Sequence, residues 1–108
     1  MAETRNLFED MPDRQADEAI TPLLASPTLR IERIVSHGQA SPPGFWYDQP
    51  QAEWVIVLAG AAQLRFEDET VETPMRTGDY LHIAAHRRHR IEWTDPQQAT
   101  VWLAVHHG

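Results

Sequence analysis

From Leu29 onward, short runs of β-branched and aromatic residues alternate with clusters of turn residues. Runs of this length and composition, bounded by Gly, Pro, Asp and Ser, are typical of β-strands. The predicted strands cover residues 29–36, 45–47, 53–58, 63–67, 71–73, 80–84, 90–94 and 100–106. Roughly eight short strands with almost no helical segment predict an all-β fold, an antiparallel sandwich or barrel.

The first 28 residues differ from the rest because they lack this strand pattern and carry many acidic side chains. We expect residues 1–28 to form an N-terminal arm and residues 29–108 to form the barrel domain. The helix-like segment 13–24, interrupted by Pro22, predicts one short helix or turn within the arm.

Composition excludes several classes of function. A chain of 108 residues is expected to form one domain. Its formal net charge of −7 argues against general binding to nucleic acid, including by the basic run at residues 86–90, and against anionic membranes. No apolar run approaches the length of a membrane span, and no secretory signal begins the chain, so we expect a cytoplasmic protein. Without cysteine there is no disulfide and no thiolate chemistry.

Alternation along two predicted strands aims an acid and an imidazole at the interior. One face of the strand at 53–58 carries Glu53, Val55 and Val57, and one face of the strand at 90–94 and its preceding residue carries His89, Ile91 and Trp93. If the apolar members line the barrel, Glu53 and His89 point inward near its mouth. An acid next to an imidazole is expected to raise the pKa of the histidine.

The opposite face of the strand at 53–58 is also apolar, with Trp54, Ile56 and Leu58. A partner sheet, the N-terminal arm or a second subunit would cover it. We predict a homodimer.

Two segments resemble the motifs of the cupin superfamily of small double-stranded β-helix (jelly-roll) barrels. Glu53 and Gly60 keep the E-x6-G part of the first motif, and Gly44 precedes them. Gly78 opens the second motif, and His89 falls on its histidine. Phrases such as GDYLHI, HRIEWT and WLAVH also resemble small bacterial single-domain cupins over residues 29–107. The resemblance implies a cupin barrel with a short N-terminal arm.

In metal-binding cupins, two histidines and a glutamate of the first motif bind the metal together with the histidine of the second. Here the two histidine positions hold Trp46 and Asp48 in one alignment, or Tyr47 and Gln49 in the other. The resemblance therefore leaves Asp48, Glu53 and His89 as the predicted ligands of a divalent metal (Fe, Mn, Ni or Zn), with Gln49 or water as a fourth.

Further side chains are predicted to contact a small-molecule ligand. Trp46, Tyr47 and Trp93 would stack on it, although packing in a core or dimer interface explains such aromatics as well. Arg90 would bind an anionic group or pair with an acid on a neighbouring strand. His106 and His107 are expected to be solvated, because terminal residues fray.

Three functions remain open. The chain could be a metal-dependent isomerase, epimerase or dioxygenase acting on a small polar substrate, with Glu53 and His89 as catalytic residues. It could be a metal-free module that binds or senses a small molecule. It could also be a structural protein whose barrel serves only as a scaffold for dimerisation.

Overall fold

The computed structural model describes residues 2–108, and Met1 lies outside the described part. The strands are β1 (Ala19–Ser26), β2 (Leu29–Ser36), β3 (Ala52–Ala59), β4 (Ala61–Phe66), β5 (Thr73–Arg76), β6 (Tyr80–Ile83), β7 (His89–Thr94) and β8 (Thr100–His107). The described residues contain no helix, so the prediction of an all-β fold is confirmed.

Two antiparallel sheets form the body of the molecule. The larger sheet has the strand order β1-β2-β8-β3-β6, and the smaller has the order β5-β4-β7. The β3 strand lies between β8 and β6, with Glu53 opposite His106 on one side and Ile83 on the other. This pairing places the predicted catalytic glutamate at the start of an interior strand of the larger sheet.

The core fills the space between the sheets because alternate residues of each strand face inward. Its buried apolar side chains are Val55, Val57, Ala62, Leu64, Phe66, Met75, Ile83, Trp102 and Ala104. Burying each of the larger ones stabilises the fold by about 1.5–3 kcal/mol. The indole nitrogen of Trp102 donates a 3.1 Å hydrogen bond to the hydroxyl of Ser36, so the polar edge of this ring is satisfied as well.

The β3–β4 connection needs a glycine at residue 60. Gly60 has φ +85°, a conformation that side-chain-bearing residues rarely adopt. A Cβ atom there would lie 2.5 Å from the hydroxyl oxygen of Thr100. Local backbone geometry and a close neighbour thus both account for the glycine that ends the E-x6-G pattern.

The N-terminal segment departs from the sequence expectation. The predicted helix or turn within residues 13–24 is wrong, because β1 occupies its second half and pairs with β2 at the edge of the larger sheet. The residues before β1 contact β2 as well. The guanidinium of Arg33 in β2 donates to the carbonyl oxygens of Leu7 and Glu9, at 2.9 and 3.0 Å. The start of the arm is therefore held against the outer face of β2.

Two shorter predictions also need correction. Residues 45–47 form no strand, and only Tyr47 makes an isolated bridge to His89. The strand predicted at 71–73 begins instead at Thr73, as β5.

A bulge in β7 reverses the predicted direction of Trp93. Gln63 pairs with Trp93 but its neighbour Leu64 pairs with Ile91, so Glu92 is an extra residue in the strand. Such an extra residue shifts the alternation that follows it. Trp93 accordingly points outward and is 41% exposed, whereas His89, before the bulge, points inward.

The described residues include no helix long and apolar enough to span a membrane.

Candidate functional site

A cavity of about 190 Å³ opens between the two sheets. The larger sheet contributes the polar side chains of Arg30, Glu32, Glu53 and His106 to its wall. Glu18, which precedes β1 of the larger sheet, also lines the cavity, and the smaller sheet and the segment that leads to β3 contribute Tyr47, Gln49 and His89. Apolar side chains of the core, among them Trp102 and Ile91, close its inner end.

Glu53 is the most unusual of these groups. It is only 8% exposed, and among residues 2–108 no hydrogen bond holds its carboxyl. Burial raises the pKa of Glu53 to about 7, and the nearby charge of Glu32 adds to the effect. Near neutral pH both its protonated and its ionised forms are therefore populated.

His89 presents an unprotonated nitrogen to the cavity. Its Nδ1 lies 2.8 Å from the carbonyl oxygen of Arg87. Since a carbonyl can only accept, Nδ1 carries the proton and donates, and Nε2 keeps its lone pair. Burial lowers the pKa of His89, so the ring is neutral near pH 7. The expectation that a neighbouring acid would raise this pKa is wrong, because burial lowers it and no carboxylate among the described residues contributes to the shift.

The ring of His89 is also held in place by Tyr47. The two rings stack with their centroids 5.5 Å apart. Their backbones exchange two hydrogen bonds, at 2.7 and 3.2 Å. Tyr47, which itself lines the cavity, therefore orients the imidazole of His89.

His106 belongs to the cavity as well, contrary to the sequence expectation. Its Nε2 lies 3.0 Å from Oε1 of Glu32, and the same carboxylate accepts a 3.0 Å bond from Nε of Arg30. With Nε2 donating to the carboxylate, Nδ1 holds a lone pair, and it is buried without a partner. The ring is buried because β8 runs on to His107 between β2 and β3 instead of fraying. The regular alternation of Trp102, Ala104 and His106 is the sequence signal that could have found it.

The N-terminal segment supplies another acid. Glu18, next to the start of β1, hydrogen-bonds the hydroxyl of Ser36. Burial raises the pKa of Glu18. Across the cavity, the amide oxygen Oε1 of Gln49 is buried without a hydrogen-bond partner.

The structure thus brings three of the predicted site residues together and leaves four outside. Glu53, His89 and Tyr47 line the cavity. Asp48 does not line it, because it points to the surface, where Oδ1 lies 2.7 Å from Nδ1 of the exposed His86. Trp93 points outward beyond the bulge in β7, and Trp46 lies with Arg90 away from the cavity wall.

Arg90 holds a loop instead of facing the cavity. Its guanidinium donates to the carbonyl oxygens of Ser41 and Pro42, at 2.9 and 3.1 Å, and forms a 2.7 Å ion pair with Glu92. The same group lies 5.9 Å from the ring centroid of Trp46. Arg90 and Trp46 therefore stabilise the segment that leads to Tyr47.

The predicted metal ligands do not fit a metal ion as the chain is folded. Tyr47 and Gln49, not Trp46 and Asp48, occupy the inward positions before Glu53, so neither inward position offers an imidazole. Within residues 2–108, no group of three or more His, Asp or Glu side chains could hold a metal ion. Metal binding remains a prediction from the family resemblance, and we derive no chemical step from it.

What the cavity does offer is a set of hydrogen-bond acceptors at its wall. Nδ1 of His106 and Oε1 of Gln49 have no hydrogen-bond partner in the described chain, but both atoms are buried with almost no accessible surface. The carboxyl of Glu53 lacks a hydrogen-bond partner in the described chain, and Nε2 of His89 keeps a free lone pair. Such groups can accept protons or hydrogen bonds from a bound molecule.

Comparisons with known proteins agree with this architecture. The family described as Cupin domain matches residues 32–106. A crystal structure from Ralstonia eutropha JMP134, of a protein described as a putative mannose-6-phosphate isomerase, is 55% identical in sequence, covers 98% of each chain and superposes with a TM-score of 0.94. No curated protein matches the chain.

More distant solved structures show the fold alone. An uncharacterized conserved protein with a double-stranded β-helix domain from Klebsiella pneumoniae is 14% identical, with 99% of this chain and 90% of that one covered and a TM-score of 0.80. An RmlC-like cupin protein from Desulfovibrio desulfuricans is 15% identical, with 98% and 97% covered and a TM-score of 0.74.

Proposed function

Because this chain belongs to the cupin domain family, matched over residues 32–106, we propose that its cavity binds a small polar molecule and isomerises it by proton transfer. The observation that carries the proposal is that a buried carboxyl and a neutral imidazole line the same cavity. The pKa of Glu53 is raised to about 7, and His89 directs a lone pair at the same cavity. A general base and acid are most effective when the pKa lies near the working pH.

In the proposed reaction, ionised Glu53 removes the proton from the carbon next to a substrate carbonyl. Protonated Glu53 then returns that proton to the neighbouring carbon. Nε2 of His89 accepts the hydroxyl proton and passes it to the former carbonyl oxygen. Atoms and charge balance over the cycle, because both residues end in their starting state.

Two features of the chain support this assignment of roles. Tyr47 stacks on the imidazole and fixes its direction, and the carbonyl of Arg87 fixes its tautomer. In addition, the protein from Ralstonia eutropha that is 55% identical to this chain is described as a putative mannose-6-phosphate isomerase, which belongs to the same reaction class.

The test is solvent deuterium exchange, followed by NMR. The protein is incubated in D2O with mannose, glucosamine and mannose 6-phosphate, and deuterium is sought at the carbon next to the carbonyl. We expect enzyme-dependent exchange with at least one of these sugars. Glu53→Gln and His89→Gln should each slow exchange by about 10²-fold or more, the range typical of general acid–base groups.

The matched control is Glu67→Gln, which removes an equally charged carboxylate that pairs with Arg88 on the surface. Its exchange rate should equal that of the natural sequence. Exchange that survives Glu53→Gln, or no exchange with any of the three sugars, would contradict the proposal. Binding without exchange would instead favour a module that binds small molecules without converting them.

A further inference from the structure

We propose that the ligand of this cavity is a small organic cation with N–H donors, such as an amino alcohol or amino sugar in its ammonium form, and not a phosphorylated sugar. This inference takes from the proposed function only the location of the ligand. It concerns the chemical class of the molecule that the cavity binds.

The free polar groups of the cavity wall include hydrogen-bond acceptors. The carboxyl of Glu53, which lines the cavity, has no hydrogen-bond partner among residues 2–108. Nε2 of His89 is a second acceptor, because the proton of this ring is on Nδ1. An ammonium group carries only donors and matches such a wall, whereas a phosphate carries mainly acceptors and would leave these atoms unpaired.

The charged residues of the cavity wall are mostly acids. Among these acids, Glu32 is paired with Arg30 at 3.0 Å. Within residues 2–108, Glu18 and Glu53 form no ion pair, and Glu53 is more than nine-tenths buried. A buried carboxylate without a counter-ion is costly, and a bound cation would supply that counter-ion.

The cavity wall also lacks a cation that is free to bind phosphate. Arg30, the single arginine that lines the cavity within the described part of the chain, already donates to Glu32. Elsewhere, Arg87 pairs with Asp68 and Glu69 at 3.3 and 2.6 Å. Phosphate sites in proteins usually rely on guanidinium groups or exposed backbone N–H groups, and arginines held by carboxylates cannot serve in this way.

Size and spacing narrow the class further. A cavity of roughly 150 Å³ accommodates benzene, and this one measures about 190 Å³. It therefore suits a molecule smaller than a hexose phosphate. Among residues 2–108 no group of three or more His, Asp or Glu side chains could hold a metal ion, so we expect the cation to be an organic one.

The test uses three probes that share a skeleton and differ in charge. Binding of aminopropanediol (cationic), glycerol (neutral) and glycerol phosphate (anionic) is measured by isothermal titration calorimetry at pH 7.5. We expect the cation to bind at least tenfold more tightly than either of the others. Glu53→Gln should weaken cation binding at least tenfold, and Glu18→Gln should weaken it in the same direction.

The matched control is Glu72→Gln, which removes one negative charge at an exposed position outside the cavity. Its affinity for the cation should be unchanged, and thermal unfolding verifies that every variant is folded. Equal or tighter binding of glycerol phosphate, or of glycerol, overturns the inference. So does a cation affinity that survives Glu53→Gln, or no binding of the cation up to tens of millimolar.

The two proposals fail separately. Cation binding without deuterium exchange on any sugar contradicts the isomerase function and keeps the ligand class. Exchange on mannose or mannose 6-phosphate in a protein that does not bind the cationic probe contradicts the ligand class alone.

Discussion

The protonation state of His89 determines what the cavity can do, and it can be measured directly. Because burial lowers the pKa of this ring, we expect a pKa below 6.5, with Nε2 unprotonated at neutral pH. Long-range ¹H–¹⁵N NMR spectra recorded across a pH titration report both the pKa and the tautomer. A pKa above 6.5, or a lone pair on Nδ1, would show that the bond to the carbonyl of Arg87 does not fix the ring, and would remove the proposed base.

Strand alternation predicted the direction of a site residue where no bulge precedes it in the strand. Alternation and the E-x6-G spacing correctly pointed Glu53 and His89 into the cavity. Trp93 was misplaced because a bulge inserts Glu92 before it, and composition does not reveal such an insertion. His106 was missed because its burial depends on the neighbouring strands β2 and β3, which are distant in sequence.

At the scale of elements, Arg90 connects β7 to the loop at residues 41–45. Replacing it with Met leaves two or more loop carbonyls without their donor, so we expect Arg90→Met to lower the free energy of unfolding by about 1–3 kcal/mol. Urea denaturation measures this loss, and calorimetry with aminopropanediol measures binding. If Arg90→Met keeps its stability but loses ligand binding, the sequence prediction that Arg90 contacts the ligand would be supported instead.

The elements themselves were largely predictable, and the exceptions share a cause. Residues 29–36 were predicted with correct bounds because that strand, β2, carries three β-branched residues and lies between breaker residues at 27 and 41–44. In contrast, β1 is mostly exposed and contains Pro22, so its strand character comes from pairing with β2 at a sheet edge. Local composition cannot report a pairing of this kind.

On the scale of the whole molecule, the fold keeps an acid where burial disfavours its charge. Packing of the two sheets desolvates Glu53, and among residues 2–108 no hydrogen bond compensates it. Natural proteins often give up stability at functional sites, so this position is best explained by function. The homodimer predicted from Trp54, Ile56 and Leu58 stays a prediction, and these three side chains are half-buried in the single chain.

The free-energy cost of ionising the buried Glu53 predicts how the stability of the fold changes with pH. Its pKa rises from 4.5 to about 7 on folding, so between these values the native state binds more protons than the unfolded state and stability falls as pH rises. At about 1.4 kcal/mol per pKa unit, ionised Glu53 destabilises the fold by roughly 3 kcal/mol above pH 7. Glu53→Gln should therefore match the natural sequence in Tm at pH 4.5 and exceed it increasingly up to pH 8. The lowered pKa values of His89 and His106 oppose this trend in both proteins and cancel in the difference. The exposed Glu72→Gln serves as a control, and its difference in Tm from the natural sequence should not change with pH. If the difference for Glu53→Gln also stays constant or shrinks as pH rises, the carboxyl of Glu53 ionises in the folded protein without penalty.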